Sequence, residues 1–291
     1  MLRSFTDSEL HLATSAWRRD KFYVARDLVA DTQAAWKAGL QDELEALEQR
    51  ATRLTPNPHS VYKQVLPDLL AHTHRTEVVP HSQQQEWNVQ QVYDWPDLLT
   101  LVQRVTGWDN VQRIPLKKDG AFEINGKINF YDAREASRLD WHFDKVYNFR
   151  GRQVVCVLTL RNDWDAVAVQ PPTLQVLLPR SRVINSAYLG AYSMTMHDPD
   201  AVFHRVQPFT CPPGKEGVAW KRTVLVMRFT DDPTPPAPLL QTLGASRYFV
   251  RQAEHFVYVG DLKWCAICAI VAACIAAAVS TALRIASKAR S

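Results

Sequence analysis

Cysteine is scarce in this sequence of 291 residues, and its five copies are unevenly placed. Cys265, Cys268 and Cys274 lie in one apolar run near the C-terminus, which leaves only Cys156 and Cys211 for the rest of the chain. This distribution argues against a disulfide framework and fits a reducing compartment. Cys265 and Cys268 have the spacing of half a zinc site, but no second half follows. They are interpreted as small residues of an apolar helix or as acylation sites.

Dense clusters of like charge are also missing. The 34 basic and 30 acidic residues give a net charge of +4 and are spread along the chain. A nucleic-acid-binding surface usually concentrates Lys and Arg in one patch, so nucleic acid is not indicated as a partner. A secretory signal is not expected, because the N-terminal residues become charged before an apolar run develops. The 46% hydrophobic content is ample for a packed core.

One long apolar run is present. Residues 264–283 contain no charged side chain, and Arg284 and Lys288 follow them. Twenty helical residues, at about 1.5 Å each, just span a hydrocarbon core of about 30 Å. The run therefore predicts a C-terminal transmembrane helix that anchors the chain by its tail and leaves the rest in the cytosol. An organelle outer membrane is favoured over the endoplasmic reticulum, and a buried or oligomer-forming helix is the alternative.

The remaining pattern predicts helices first and strands second. A short strand is expected at residues 22–25, followed by a helix, and "WPDLLTLVQRVTGW" predicts a second helix that ends at Gly107. After residue 112 the sequence pattern changes to short runs that are apolar or alternate between apolar and polar residues, separated by turns. These runs are "INGKINFYD", "LDWHFD", "RQVVCVLTL", "TLQVLLP", "AYSMTMHD", "AVFHRVQPF" and "RTVLVMRF".

Seven or eight such strands indicate an α+β chain that is mainly β, whose core is a sandwich or a jelly roll. Residues 1–110 are expected to form an N-terminal helical flank with a strand, and residues 111–232 the core. Residues 233–262 are expected to be a Pro-rich linker and an edge segment, in which residues 248–260 add an edge element. Residues 263–284 would be the membrane anchor.

The stretch "WHFD" is the first sign of chemistry. Residues two apart in a strand share a face, so His142 and Asp144 point one way and Phe143 points the other way. One imidazole and one carboxylate are two members of the two-His, one-carboxylate set that holds non-haem Fe(II). His204, on an apolar strand 62 residues after His142, is the candidate third ligand. His197 is followed by Asp-Pro-Asp and is interpreted as a loop residue.

Two arginines occur six residues apart in the otherwise apolar run "KRTVLVMRF". Arg222 and Arg228 share one face of that strand, and an interior arginine is costly unless it pairs with an anion. A dicarboxylate would supply the anion, because the guanidinium fork matches a carboxylate.

The order "NFY", "HFD", "FHRV" and "KRTVLVMRF" resembles the 2-oxoglutarate and Fe(II)-dependent dioxygenase superfamily, over roughly residues 20–230. The resemblance implies a double-stranded β-helix, with Fe(II) on His142, Asp144 and His204. It also implies that Arg222, or alternatively Arg228, holds the distal carboxylate of 2-oxoglutarate. Asn129 or Tyr131, which share a strand face, would donate hydrogen bonds to it.

The implied reaction is hydroxylation or oxidative demethylation, with release of succinate and CO2. The "WHFD" stretch and the absence of long insertions in the predicted barrel are similar to the small-molecule hydroxylases. Related halogenases have Gly at the position of Asp144, so the resemblance implies oxygenation and not halogenation. The Asn-x-Tyr element and paired arginines are similar to AlkB-type nucleic-acid demethylases, which are one alternative. A non-catalytic, membrane-tethered scaffold is another.

A small molecule, a lipid or a protein remains open as the substrate. The loops expected to decide its identity are residues 55–85, 145–152 and 208–220.

Overall fold

The protein is described here by a computed structural model. It describes residues 2–50, 52–53, 75–78, 88–114, 127–135, 138–144, 150–167, 170–171, 173–234 and 238–288. Most of the predicted loops at residues 55–85 and 145–152 lie outside these ranges.

The N-terminal flank is helical, as predicted. Its helices are α1 (Asp7–Asp20), α2 (Ala34–Arg50), α3 (Asn88–Asp94) and α4 (Pro96–Thr106). The second predicted helix is confirmed as α4, which Gly107 ends in the left-handed conformation with φ of 70°.

Helix α1 has no counterpart among the predictions, although its start carries a clear signal. The Thr6 hydroxyl accepts a hydrogen bond from the Glu9 backbone N–H, and the Glu9 carboxylate accepts one from the Thr6 backbone N–H. This capping box satisfies two N–H groups that the first helical turn would otherwise leave free.

Twelve strands lie within the described residues. They are β1 (Phe22–Ala25), β2 (Thr52–Arg53), β3 (Arg75–Val78), β4 (Gln112–Arg113), β5 (Lys127–Asp132), β6 (Leu139–His142), β7 (Gln153–Asn162), β8 (Leu174–Leu177), β9 (Ile184–Ala187), β10 (Met194–His197), β11 (Phe203–Val206) and β12 (Lys221–Thr230). All seven runs singled out in the sequence contain a strand, and β9 is an addition.

The strands form two antiparallel sheets. The larger sheet has the order β1-β10-β7-β12-β5-β3-β2, with β4 paired to β12, and the smaller has the order β6-β11-β8-β9. Their inner faces meet, because the His197 ring on the larger sheet lies 4.7 Å from the His204 ring on the smaller one. Two facing, mostly antiparallel sheets flanked by helices are consistent with the predicted jelly-roll core.

The outer face of the larger sheet carries the main hydrophobic core. Side chains such as Leu158 and Leu225 alternate with inward-facing ones and pack with Leu40 and Leu98 of the helices. The larger sheet is thus held in place by buried apolar area on its outer face, and the inner faces combine polar side chains such as Arg222 with apolar ones such as Val224 and Val176.

The C-terminal region departs from the prediction. The edge element expected at residues 248–260 is not found; these residues belong mainly to α5 (Pro238–Tyr258). Ala253 and Phe256 of α5 pack on the outer face of the smaller sheet, where they meet Trp141 and Phe203. Helix α5 covers this face as α2 and α4 cover the other sheet.

A second C-terminal helix, α6 (Leu262–Lys288), follows α5 directly. Cys268 and Ala272 of α6 are buried, and Cys268 belongs to the cluster that joins α5 to the smaller sheet. Within α6, Trp264–Thr281 has a mean hydropathy of 2.2, and only 11% of it is buried. This is the single helix among the described residues that is long and apolar enough to cross a membrane.

Candidate metal centre

Two histidines meet across neighbouring strands of the smaller sheet. His142 of β6 and His204 of β11 are direct partners in the antiparallel ladder, with ring centroids 4.3 Å apart. Phe203 and Phe143, one position away from them, point to the opposite side and pack against α5. The two-residue alternation of strands therefore separates imidazoles inside the barrel from aromatic rings outside it.

Asp144 brings a carboxylate to the same point. It lies two residues beyond the end of β6, so it is outside the strand in which it was predicted. Its Oδ1 is 3.8 Å from His142 Nε2, and its Oδ2 is 3.9 Å from His204 Nε2. One potential ligand atom from each residue lies within 4.8 Å of the other two. The three predicted ligands are thus brought together.

Both histidines are oriented for metal binding. His142 Nδ1 lies 2.6 Å from the Asp140 carbonyl oxygen, and His204 Nδ1 lies 3.2 Å from the Val202 carbonyl oxygen. A carbonyl oxygen can only accept, so each Nδ1 carries a proton and donates it. Each Nε2 then keeps its lone pair and faces Asp144, which is the arrangement that a metal ligand requires.

The charges at the site favour the same protonation states. Burial lowers the pKa of His204 well below its usual range, and the neighbouring His142 and His197 lower it further, so its imidazole is neutral. Burial alone would raise the pKa of Asp144. The hydrogen bond from His197 and the positive charge of Arg228 outweigh that effect and hold this pKa well below its usual range. A neutral imidazole and an ionised carboxylate are the forms that bind a metal.

His197 corrects an interpretation made from the sequence. It is the last residue of β10 and is 3% exposed, so it is not a loop residue. Its Nε2 lies 2.7 Å from Asp144 Oδ2. The Asp-Pro-Asp turn begins only at the next residue, Asp198, whose carboxylate accepts from the Asp200 N–H.

Arg222 and Arg228 both face the barrel interior but have different surroundings. Arg228 Nη2 lies 3.5 Å from Asp144 Oδ1. Arg222 is 2% exposed, and its Nε and Nη1 have no hydrogen-bond partner within the described residues. Burial lowers the pKa of Arg222, but a guanidinium stays charged in a protein. A buried, unpaired guanidinium is costly, which fits a site that holds an anion.

The neighbours of Arg222 are polar. Tyr131 pairs with it across β5 and β12, with the guanidinium 5.5 Å from the centre of the Tyr131 ring. Asn129 is hydrogen-bonded to Tyr131, and its Oδ1 is buried without a partner in the part of the chain that is described. The two predicted partners of the cosubstrate therefore lie beside Arg222.

Thr159 is a candidate that sequence reasoning missed. It lies on β7 and is completely buried. Its partner on β12 is Val224, which is two residues after Arg222. Its hydroxyl also lacks a partner among the described residues. A threonine in the apolar run "VVCVLTL" is the only sequence signal, and threonine is common in strands.

A cavity elsewhere on the barrel is not part of this centre. Its volume is 570 Å³, and its lining includes Arg161, Asp163 and Asp165 but none of the three metal-ligand candidates. Its charged groups are already paired, because Arg161 bonds Asp163 and Asp165 accepts from Tyr188. We therefore assign this cavity no role in the chemistry.

No protein-family profile matches the sequence, and no curated protein is detectably similar to it. Solved structures are similar. The non-heme alpha ketoglutarate-dependent epimerase SnoN from nogalamycin biosynthesis has 13% identity and a TM-score of 0.54, over 78% of this chain and 84% of that one. A prolyl 4-hydroxylase from Phytophthora capsici has 14% identity and a TM-score of 0.51, over 97% and 92% of the two chains.

SnoN was also solved in complex with Fe3+, alpha ketoglutarate and nogalamycin RO, and that structure has 13% identity and a TM-score of 0.52, over 78% of this chain and 85% of that one. Identities this low establish the fold alone. The chain has the fold of the 2-oxoglutarate and Fe(II)-dependent oxygenases, as the resemblance in its sequence implied.

Proposed function

We propose that the chain is an oxygenase that uses Fe(II) and 2-oxoglutarate to hydroxylate, or oxidatively demethylate, a substrate at a membrane surface. One observation carries the proposal: His142, Asp144 and His204 converge inside a jelly roll that also buries the guanidinium of Arg222, whose Nε and Nη1 have no partner among the described residues.

The residues fit both groups. Two neutral imidazoles with free Nε2 lone pairs and one ionised carboxylate are a donor set that suits Fe(II) and leaves coordination positions open. The charge of Arg222 would pair with the distal carboxylate of 2-oxoglutarate, and Thr159, Tyr131 and Asn129 offer further hydrogen bonds. Bound iron and 2-oxoglutarate would supply the oxygen chemistry, in which one atom of O2 would convert the cosubstrate to succinate and CO2 and the other would enter a C–H bond of the substrate.

The chain's own residues hold this arrangement. Arg228 neutralises Asp144, whose burial would otherwise be costly. The carbonyl oxygens of Asp140 and Val202 fix the two imidazole rings. The aromatic layer of Trp141, Phe143 and Phe203 packs against α5 and excludes water from the back of the ligand strands.

The membrane part of the proposal relies on α6. Residues 264–283 would anchor the chain by its tail, with the barrel in the cytosol and the anchor in an organelle outer membrane. Cys268 and Ala272 are buried against other parts of the protein, so full insertion would require this part of α6 to leave those contacts. We also propose that the domain boundaries lie at residues 110, 232 and 262, the last of which precedes the anchor.

A small molecule, a lipid or a protein remains the proposed substrate class. The AlkB-like alternative depends on Asn129, Tyr131 and the two arginines, and no other feature of the described residues favours it. A non-catalytic scaffold remains the opposing outcome of the following test.

The test uses the full-length chain in mild detergent under anaerobic conditions. Fe(II) and then 2-oxoglutarate are added while the weak visible charge-transfer band of the iron chelate is followed. We expect a band with the natural protein and with His11→Ala, which changes an exposed histidine of α1, and none with His142→Ala. Absence of the band from folded natural protein would favour the scaffold.

A further inference from the structure

A third histidine, His197, contacts the metal-ligand candidates without having the orientation of a ligand. Its backbone lies inside the larger sheet, since β10 pairs with β1 on one side and with β7 on the other. From there its side chain reaches the smaller sheet, with Nε2 2.7 Å from Asp144 Oδ2. Its place is therefore fixed by two strand ladders.

Asp144 has less support of its own. It follows the end of β6, so within the described residues no strand ladder holds its backbone in the way that β6 and β11 hold His142 and His204. Its carboxylate has two oxygens, and each has a donor nearby: Arg228 Nη2 lies 3.5 Å from Oδ1 and His197 Nε2 lies 2.7 Å from Oδ2. Its orientation must therefore be set by side-chain partners.

The direction of the hydrogen bond separates His197 from the other two histidines. A carboxylate oxygen accepts, so His197 Nε2 carries a proton and donates it, and it has no lone pair for a metal. His142 and His204 show the reverse pattern, with protons on Nδ1 and free lone pairs on Nε2.

We propose that His197 is a positioning residue that occupies Asp144 Oδ2 and so leaves Oδ1 as the single carboxylate oxygen offered to the metal. This inference depends on the metal site proposed above. The consequence concerns coordination positions. Two imidazoles and one oxygen leave three positions on a six-coordinate iron, enough for a bidentate cosubstrate and O2, whereas a carboxylate bound through both oxygens would leave two.

The test is Co(II) binding to the full-length chain in detergent, followed by visible absorption and by pulsed electron paramagnetic resonance. His197→Leu keeps a buried side chain but removes the donor, and His197→Gln keeps an N–H donor. Thr195→Val, two residues earlier on the same strand face, controls for disturbance of β10. Thermal melting of each apoprotein reports whether the variant is folded.

We expect His197→Leu to weaken Co(II) binding about 10–100-fold, the usual effect of losing a residue that orients a metal ligand, and to change the visible spectrum. His197→Gln should recover most of the affinity, and Thr195→Val should bind as the natural protein does. This rescue is decisive, because a folding defect alone would not depend on a donor at this position.

Four results would overturn the proposal. If His197→Leu binds Co(II) with the affinity and spectrum of the natural protein, the hydrogen bond has no effect on the metal. The same conclusion follows if His197→Gln is folded but binds Co(II) no better than His197→Leu. Loss of one coordinated nitrogen from the resonance spectrum of His197→Leu would make His197 a ligand. If the natural protein binds no Co(II), the metal site itself is wrong, and the role of His197 is rejected with it.

Discussion

Arg228 Nη2 lies 3.5 Å from Asp144 Oδ1, whereas Arg222, six residues earlier on the same face of β12, has two buried nitrogens without a partner in the described structure. We therefore propose different tasks for the two arginines. Arg228 would balance the charge of a metal-ligand candidate, and Arg222 would balance the charge of a molecule that enters the barrel. The sequence alone could place both on one face but could not divide these tasks between them.

Replacing Arg222 by Ala should raise the 2-oxoglutarate concentration required for half-saturation by about 10–100-fold, since hydrogen bonds to a charged group contribute about 1.5–3 kcal/mol each. Fe(II) affinity measured without 2-oxoglutarate should change little. Arg228→Ala should instead strengthen Fe(II) binding, because Asp144 loses the cation 3.5 Å from its Oδ1 and Fe(II) can then balance its charge. Titration of the charge-transfer band with 2-oxoglutarate measures the first effect, and equilibrium dialysis against Fe(II) without 2-oxoglutarate measures the second. If Arg228→Ala raises the 2-oxoglutarate requirement and Arg222→Ala does not, the assignment of the arginines is reversed.

Single Ala substitutions of His142, Asp144 and His204 should abolish Fe(II)-dependent conversion of 2-oxoglutarate to succinate. Each removes a ligand, whereas the apolar core on the other face of each sheet is untouched. Circular dichroism should therefore remain that of the natural protein. The measurement is succinate formation in the presence of Fe(II) and O2. Full activity in any one variant removes that residue from the metal site.

Much of this site follows from two regularities of sequence. The two-residue period of strands predicts that His142 and Phe143 face opposite ways, and the His204 and Phe203 pair repeats that pattern. The order of the motifs supplies the rest through the resemblance to known oxygenases. The fold of the barrel follows for the same reason, because each apolar run needs one buried face.

The parts that were missed depend on tertiary contacts. His197 precedes a turn in sequence, and only the pairing of β10 with β1 and β7 shows that the strand extends to it. Helix α5 follows a Pro-rich stretch, which favoured a linker over a helix. Its buried residues Gln252, Ala253 and Phe256 do have helical spacing, but the face they cover cannot be identified from sequence.

Removing residues 261–291 should release the chain from membranes, because the only candidate span in the described chain is lost. The barrel should remain folded but become less stable, since Phe256 would lose its contacts with Trp264 and Cys268. A loss of each kcal/mol lowers the melting temperature by about 2–4 °C in a chain of this size. Fractionation of cells and thermal melting check both points. Membrane association that persists in the truncated chain would contradict the tail anchor.

The docking of α5 on the barrel can be tested by two neighbouring substitutions. Phe256 is 3% exposed and contacts Phe203 with ring centroids 5.2 Å apart, whereas Val257 is 52% exposed. Phe256→Ala should lower the free energy of unfolding by about 3–5 kcal/mol, and Val257→Ala by less than about 0.5 kcal/mol. Urea unfolding in detergent measures both values.

Because Phe203 also packs against Phe143, next to His142 and Asp144, the Phe256 variant should weaken Fe(II) binding as well. Equal, small effects of the two substitutions would mean that α5 does not support the ligand strands, and that the barrel holds its metal site without the C-terminal helices.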